Sequence, residues 1–205
     1  GYHWRYMDIS KKAQALLQER QAGMALGYWM GSMPMVHWWR DLNKSGGQFI
    51  EQTTHIVDLL RFLIGEVKEV YSAYSSRVME SKVEGTTVSD VGSVILKLNN
   101  GIVANISNTC ILTESHKAGL EVYTNEGVME ITSNLLRDIQ GKKLNEYRNQ
   151  LDPYKVENEI FLNAVKTGDA SHILSTYKDA VKTHAITLAA AQSAMTGLPV
   201  SLEVE

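Results

Sequence analysis

The residues with the clearest chemical potential lie in the stretch from Ser45 to Glu66. At about 100° per residue, a helix over this stretch places Glu51, His55 and Asp58 on one narrow face, while apolar side chains fill most of the remaining surface. A helix that is apolar nearly all round is buried, so its ionisable face must be buried or half-buried too. Because burying a carboxylate beside an imidazole is costly without partners or a chemical task, this face is the strongest indication of function.

The Glu51–His55 pair has three interpretations. At positions i and i+4 of a helix the two side chains meet, and a neighbouring carboxylate makes an imidazole more basic and fixes its orientation, as a general base requires. The same pair could instead tie the helix to a neighbouring element, or lie half-exposed at the helix start. A zinc site is the third interpretation, although no second pair of ligands at the usual spacing supports it. Asp58 is expected to pair with Arg61, three residues further along the helix.

The segment from Tyr28 to Arg40 concentrates aromatic, methionine and basic residues. It either feeds a strand into a core loop or forms the lip of a ligand pocket close to the helix that follows. In a pocket, Trp39 would offer a flat face to a sugar ring, and Arg40 and His37 would hold hydroxyl groups or a carboxylate.

Composition sets broad limits on the function. The chain has 205 residues, a hydrophobic content of 44% and a net charge of -3, which gives no reason to expect nucleic acid or an anionic membrane as partner. Cys110 is the only cysteine, so an intrachain disulfide is impossible and a reducing compartment fits best. Without a long apolar run or a signal peptide, the sequence predicts a cytoplasmic protein.

The predicted elements fall into three groups along the chain. Residues 1–66 alternate strand and helix: a strand over residues 2–7, a helix capped by Ser10, a strand near residues 24–33 and the long helix from Ser45 to Gly65. Residues 67–147 are rich in strands, with hairpins predicted at Asn100-Gly101 and at Asn125-Glu126-Gly127. Helices follow over residues 154–167 and 177–196.

These elements predict a single α+β domain over residues 1–205. Several predicted strands carry Ser, Thr or Asn opposite the apolar positions, at Ser72, Ser76, Ser93, Asn105, Ser107 and Thr109. A sheet of this size with one polar face is expected to be open-faced and mainly antiparallel, with helices covering the other face.

The sequence lacks the common nucleotide and nucleophile motifs. There is no Gly-x-Gly-x-x-Gly after a strand, no P-loop and no Gly-x-Ser-x-Gly elbow. On its own residues the chain therefore has a candidate acid–base pair and a candidate sugar-sized pocket, but nothing that supplies or accepts electrons.

Three ordered blocks of the sequence resemble the Gfo/Idh/MocA oxidoreductase family. The block Ser-Gly-Gly-Gln-Phe-Ile-Glu-Gln-Thr-Thr-His-Ile-Val-Asp-Leu-Leu-Arg-Phe-Leu-Ile-Gly-Glu resembles the signature helix of that family. The blocks Phe-Leu-Asn-Ala-Val-Lys-Thr-Gly-Asp and Ala-Ala-Ala-Gln-Ser-Ala-Met-Thr-Gly-Leu-Pro-Val are similar to its closing helices. The opening Gly-Tyr-His-Trp-Arg-Tyr resembles the strand that follows the family's Rossmann domain, so the resemblance covers only the C-terminal half of family members.

The resemblance implies a two-domain enzyme of which this chain is one part. Family members bind NAD or NADP on an N-terminal Rossmann domain, which is absent from this chain. Their C-terminal domain binds a sugar or polyol substrate and presents an open sheet that commonly forms the subunit interface. We therefore expect a piece of a longer protein, inactive by itself and part of a homo-oligomer when complete.

The resemblance also implies roles for individual residues. His55 matches the proton-accepting histidine of the signature helix, and Glu51 matches a carboxylate that is aspartate in many family dehydrogenases. The family's Glu-Lys-Pro lysine has no counterpart in this chain. Two alternatives stay open: a non-catalytic module that binds a ligand and dimerises, and a family member that uses transient oxidation to cleave glycosidic bonds or to reduce pigments.

Overall fold

A nine-stranded mixed sheet forms the frame of the protein, whose computed structural model describes residues 1–202. The strands lie in the order β8-β7-β6-β5-β1-β4-β3-β2-β9, and every neighbouring pair is antiparallel except β1 and β4, which are parallel. The strands are β1 Ala22–Met30, β2 Val67–Ser75, β3 Val91–Leu98, β4 Val103–Thr109, β5 Lys117–Thr124, β6 Gly127–Thr132, β7 Leu135–Gln140, β8 Lys143–Arg148 and β9 Val200–Ser201.

Helices pack on one face of this sheet. They are a 3-10 helix at His3–Tyr6, here called the opening helix, and α1 Asp8–Leu17, α2 His37–Arg40, α3 Leu42–Ser45, α4 Gln48–Glu51, α5 Thr54–Ile64, α6 Met79–Lys82, α7 Pro153–Thr167 and α8 Tyr177–Thr196. The architecture is the open-faced α+β fold that the sequence predicts. No helix within residues 1–202 is long and apolar enough to cross a bilayer.

The main core lies between α5 and the centre of the sheet. Close approach is possible because Gly27 of β1 has no side chain: a Cβ there would lie 2.7 Å from Ile56 Cγ2 and 2.9 Å from Ile106 Cγ1. α5 therefore packs directly against β1. The start of α5 therefore lies near the end of β1. His55, which precedes Ile56, is consequently close to Trp29, two positions after Gly27.

The opposite face of the sheet is open and carries polar side chains at its centre. Ser93 Oγ lies 3.0 Å from Ser107 Oγ, and Asn105 Nδ2 donates to Ser93 Oγ at 3.1 Å. Both predicted hairpins are present, as β3–β4 and β5–β6. The predicted one-sided sheet is therefore confirmed, except at Ser72, which is buried on the helical side and donates to the Ala190 carbonyl of α8 at 2.5 Å. Ser76 lies just beyond the end of β2.

The predicted helix from Ser45 to Gly65 is wrong in one respect, because it is interrupted. Ser45 ends α3 rather than capping the long helix, and its hydroxyl accepts a hydrogen bond from the Gly47 amide at 3.0 Å. A second interruption follows Glu51, where the Thr53 amide bonds to the Gln48 carbonyl five residues back. Such a wide turn adds a residue to the helical repeat, so side chains on either side of it no longer stack at i and i+4.

The opening segment also differs from its prediction. Residues 2–7 form no strand, because His3–Tyr6 coil into the opening helix. Ser10 does not cap α1, which begins at Asp8; instead Ser10 is fully buried and donates to the Trp4 carbonyl at 2.7 Å. The aromatic residues that suggest a strand instead surround this short helix, in which Trp4, Arg5 and Tyr6 are all buried.

A buried ion pair joins the opening helix to α5. The Arg5 guanidinium donates to both carboxylate oxygens of Asp58, at 2.7 and 2.6 Å, and Thr183 of α8 donates to the same carboxylate at 2.8 Å. Asp58 lies 3.8 Å from Arg61 as well, so the predicted helix ion pair exists but is the longer of the two. Asp58 has no exposed surface, so it depends on these partners for its charge.

We expect Asp58→Asn to lower the free energy of unfolding by about 3–5 kcal/mol, because it leaves the buried Arg5 without its main counter-charge. Urea unfolding followed by circular dichroism measures the change. Glu159→Gln is the matched control, since Glu159 pairs with Lys155 at 3.8 Å on the exposed face of α7 and is worth under about 0.5 kcal/mol. Equal losses in the two variants would contradict the role of Asp58.

Candidate active site

A cleft of about 760 Å³ opens where β1 and β5 meet the opening helix and the start of α7. Its inner wall is aromatic and its rim is polar. The lining side chains are His3, Trp4, Met7, Trp29, Met30, His55, Ser115, His116, Lys117, Ala118, Thr132, Ser133, Asn134, Asp152, Pro153 and Tyr154. A concave site with aromatic walls and a few polar groups is the usual form of a small-molecule site.

His55 lies at the inner wall of this cleft, half-buried among aromatic rings. Its ring centroid is 4.8 Å from that of His3, 5.7 Å from that of Tyr2 and 6.1 Å from that of Trp29. The Tyr2 hydroxyl lies 2.8 Å from the hydroxyl of Thr54, which fixes the ring beside His55. His55 Nδ1 is buried without a hydrogen-bond partner among the described residues.

This environment keeps the His55 imidazole neutral. Burial lowers the pKa of His55 to about 4, and repulsion from His3 adds to the effect. Burial also lowers the pKa of His3. At neutral pH His55 is therefore uncharged, which is the state in which an imidazole can accept a proton.

Glu51 is not paired with His55 in the structure. Its carboxylate accepts a hydrogen bond from the Trp39 indole nitrogen at 2.5 Å. The wide turn between α4 and α5 separates the two residues on the helix surface, and no hydrogen bond joins them within the part of the chain that the structure describes. The sequence spacing thus indicates a contact that this backbone does not make.

The other predicted binding residues do not line the cleft. Trp39 is 1% exposed and packs in a small core cluster with Met33, Met79, Val88 and Cys110. Arg40 and His37 lie on the surface of α2, where Arg40 Nη2 is 2.7 Å from His37 Nδ1. The structure gives Trp39 a core position rather than a place on a pocket wall.

Several lining residues carry no local signal in the sequence. His3 stacks on Tyr154 with ring centroids 4.1 Å apart, although 151 positions of sequence separate them. His116 and Lys117 reach the rim because the His116 amide bonds to the Met30 carbonyl at 2.9 Å. Each looks like an ordinary surface or structural residue in the sequence, since only the folded sheet brings these segments together.

A metal centre finds no support in the geometry. Within residues 1–202, no group of three or more His, Cys, Asp or Glu side chains lies close enough to hold a metal ion. Cys110 is fully buried, and burial raises the pKa of its thiol to about 12, so it is not a reactive thiolate at neutral pH.

The family model for the GFO/IDH/MocA C-terminal domain matches residues 15–130, which is more than half of the chain. The chain belongs to the GFO/IDH/MocA family. The matched range contains the interrupted signature helix and its His55, together with strands β1 to β5 and the first four residues of β6.

Curated relatives include dehydrogenases of inositol. The chain is 27% identical to the myo-inositol 2-dehydrogenase of Thermotoga maritima over 139 residues, which cover 62% of this chain and 41% of that protein. It is 28% identical over 222 residues to a protein of Schizosaccharomyces pombe without an assigned function, covering 92% of this chain and 53% of that one. The chain spans about half the length of these curated relatives.

Solved structures share the fold over nearly the whole chain. A levoglucosan dehydrogenase in complex with NADH and levoglucosan superposes with a TM-score of 0.83 at 16% sequence identity, covering 98% of this GFO/IDH/MocA chain and 64% of that one. At this level of identity the likeness shows the fold of the domain.

Acid should destabilise the folded GFO/IDH/MocA domain through His55. The folded pKa near 4 lies below the ordinary value of 6.5, so between these limits the unfolded chain binds a proton that the folded chain does not. The contribution of His55 to the free energy of unfolding is therefore largest above pH 6.5 and decreases as the pH drops toward 4.

Lowering the pH from 7 to 5 should reduce the free energy of unfolding less in His55→Gln than in the parent chain. We expect the two reductions to differ by on the order of 1 kcal/mol. Urea unfolding at the two pH values measures this difference. His184→Gln is the matched control, because His184 is exposed on α8 and should leave the pH dependence unchanged. An identical pH dependence in the parent and His55→Gln chains would refute a neutral, buried His55.

Proposed function

We propose that this chain is the substrate-binding and catalytic half of an NAD(P)-dependent oxidoreductase that acts on a hydroxyl group of a sugar or polyol. The observation that carries the proposal is the neutral imidazole of His55 on the wall of an aromatic cleft. Membership of the GFO/IDH/MocA family supports the reaction class, and the inositol dehydrogenases among the relatives support the substrate class.

The cleft suits a flat, hydroxylated ring. Trp29 and Tyr154 offer aromatic surface for the apolar faces of a sugar or cyclic polyol. Thr132, Ser133 and Asn134 supply hydroxyl and amide groups at the rim, which can donate to and accept from substrate hydroxyls. An aromatic inner wall combined with hydroxyl and amide groups at the rim favours a carbohydrate over a fully apolar ligand.

In the proposed reaction, His55 takes the proton of one substrate hydroxyl while the hydrogen on the same carbon leaves with its electron pair. The alcohol becomes a ketone, the imidazole becomes an imidazolium, and the nicotinamide cofactor, when bound, supplies the acceptor for the hydride. The chain's own residues hold the substrate, exclude water from the aromatic wall and accept the proton.

The residues present fit one part of such a cofactor better than the other. The aromatic wall around His55 can lie against a nicotinamide ring, whereas the sequence has no glycine-rich cradle for the phosphates. We therefore propose that NAD or NADP is held mainly by a Rossmann domain outside this chain, and that the chain alone is inactive.

The roles predicted for Glu51, Arg40 and His37 remain proposals, although the structure places none of these residues on the wall of the cleft. Glu51 can act on His55 only if its hydrogen bond to Trp39 is exchanged, so we assign its carboxylate first to holding the α2 segment. Arg40 and His37 do not line the cleft, so their predicted contact with substrate stays a prediction from the sequence. A cytoplasmic location stays a prediction from the sequence.

We expect His55→Ala to reduce kcat of the full-length protein by roughly two or more orders of magnitude, the usual cost of losing general acid–base catalysis. Reduction of NAD or NADP at 340 nm with myo-inositol and a panel of sugars as substrates measures the rate. His184→Ala on exposed α8 is the control and should keep the parent rate. A near-normal kcat in His55→Ala would reject the catalytic role and favour a non-catalytic ligand-binding module.

The open face of the sheet supports a second proposal, self-association. Four large apolar side chains there are between 42% and 44% exposed: Met24, Tyr71, Ile95 and Val103. Ile95 pairs with Tyr71 on one side and with Asn105 on the other, so the apolar and polar positions form one continuous surface. Two copies of this chain could bury that surface face to face as a homo-oligomer.

We expect Ile95→Glu to shift the chain toward the monomer, because it introduces a negative charge at the centre of the apposed sheets. Size-exclusion chromatography with light scattering gives the mass of each species. Val181→Glu is the control, since Val181 is similarly exposed on α8, in the helical layer. A parent chain that is already monomeric at high micromolar concentration would rule out this interface in the isolated domain.

A further inference from the structure

The cleft holds two imidazoles in ring contact. His3 lies at the start of the opening helix, with one face of its ring stacked on Tyr154 at 4.1 Å and an interplanar angle of 21°. The same ring meets His55 at a centroid distance of 4.8 Å and an interplanar angle of 63°, which is an edge contact. His3 is therefore held between the first turn of α7 and the candidate base.

His3 is also the ring neighbour of His55 that can take up a proton as the pH falls below neutral. The other two rings are Tyr2 and Trp29; burial raises the pKa of the Tyr2 hydroxyl, and an indole does not titrate. The carboxylate of Glu51 is engaged with Trp39 instead. The charge state of His55 in the described structure thus depends on His3 more than on any acidic partner.

We propose that His3 is a positioning residue for His55, and that the two imidazoles form one coupled unit in which a proton on either ring makes the other ring harder to protonate. The proposal rests on the proposed function, because it assigns His55 as the base. Two imidazolium rings with centroids 4.8 Å apart on the wall of a partly buried cleft repel each other. His55 therefore accepts a substrate proton most readily while His3 is neutral, and the stack on Tyr154 keeps His3 in place.

Other charges surround the pair without entering its ring contacts. The Gly1 amino group also bears on both rings, and its positive charge disfavours a proton on either of them. Further titratable or charged groups on the surrounding elements are His116, Lys117, Asp152, Glu157, Arg5, Asp58, Arg61 and Asp179. Asp58 and Arg5 neutralise each other, and Glu157 lies against Gly1. None of these groups replaces His3 beside the His55 ring.

An NMR titration of the 205-residue chain tests this unit without requiring catalysis. The imidazole carbons and nitrogens of both residues are followed from pH 8 down to the limit of the folded state. Coupled sites respond to each other, so the His55 signals should shift a first time when His3 titrates and a second time at lower pH. In His3→Phe and His3→Asn the first step should vanish, and the midpoint of His55 should rise by roughly 0.5–1 pH unit.

His116→Asn is the matched control, because His116 lines the same cleft and lies on its exposed rim. It should leave the His55 midpoint unchanged, and an amide spectrum checks that every variant keeps the fold. Independent single-step titrations of His3 and His55 in the parent chain would overturn the proposal even if neither His3 variant folds. An unchanged His55 midpoint in folded His3 variants, or an equal shift in His116→Asn, would overturn it as well. Loss of turnover on His55→Ala bears on the catalytic role separately.

Discussion

The ion pair between Arg5 and Asp58 links the elements that make the cleft. It joins the opening helix to α5 across 53 positions of sequence, with two short hydrogen bonds and no exposed surface on the carboxylate. Arg5 also donates to the Leu174 carbonyl, and Thr183 donates to Asp58, so the segment before α8 and α8 itself are held to the same point. A buried charge of this kind tolerates little displacement, because moving Asp58 leaves Arg5 with only the partly exposed Asp179, 2.7 Å away, as its ion-pair partner.

That constraint fixes the ring contacts of the candidate base. Arg5 and His3 lie in one turn of the opening helix, and Asp58 and His55 lie in one turn of α5. The ion pair between Arg5 and Asp58 therefore holds His3 close to His55. The close packing of Ile56 of α5 against Gly27 of β1 adds a second constraint, since it holds the start of α5 near Trp29. An imidazole positioned by two such contacts can stay neutral and oriented without a carboxylate beside it.

Sequence patterns predicted the parts of this structure that depend on local chemistry. The alternation around Asn100-Gly101 predicted β3 and β4, and Gly168 and Gly197 mark the ends of α7 and α8 with left-handed backbone. His55 stood out because it is a lone imidazole in an apolar helix. The aromatic opening segment has the alternation of a half-buried strand, but its consecutive residues Trp4, Arg5 and Tyr6 are all buried in a 3-10 helix, which a period of two does not indicate.

The cleft itself could not be predicted in this way. His3, His116 and Tyr154 come from three distant segments, and nothing in the residues near any of them indicates the others. The Glu51–His55 contact failed for a different reason: spacing fixes the angle between two side chains only along an unbroken α-helix. A single wide turn, built where two β-branched threonines follow Gln52, was enough to redirect Glu51 to Trp39.

The same wide turn explains how one signature segment can serve two purposes. Before the turn, α4 is tied through Glu51 and Trp39 to a small core cluster that holds the α2 segment. After it, α5 carries His55 into the cleft and Asp58 into the ion pair. In a continuous helix all three ionisable side chains would compete for one face, and the carboxylate of Glu51 would stabilise a charged His55. Separating them leaves the imidazole among uncharged rings, where its proton affinity is set by burial and by His3.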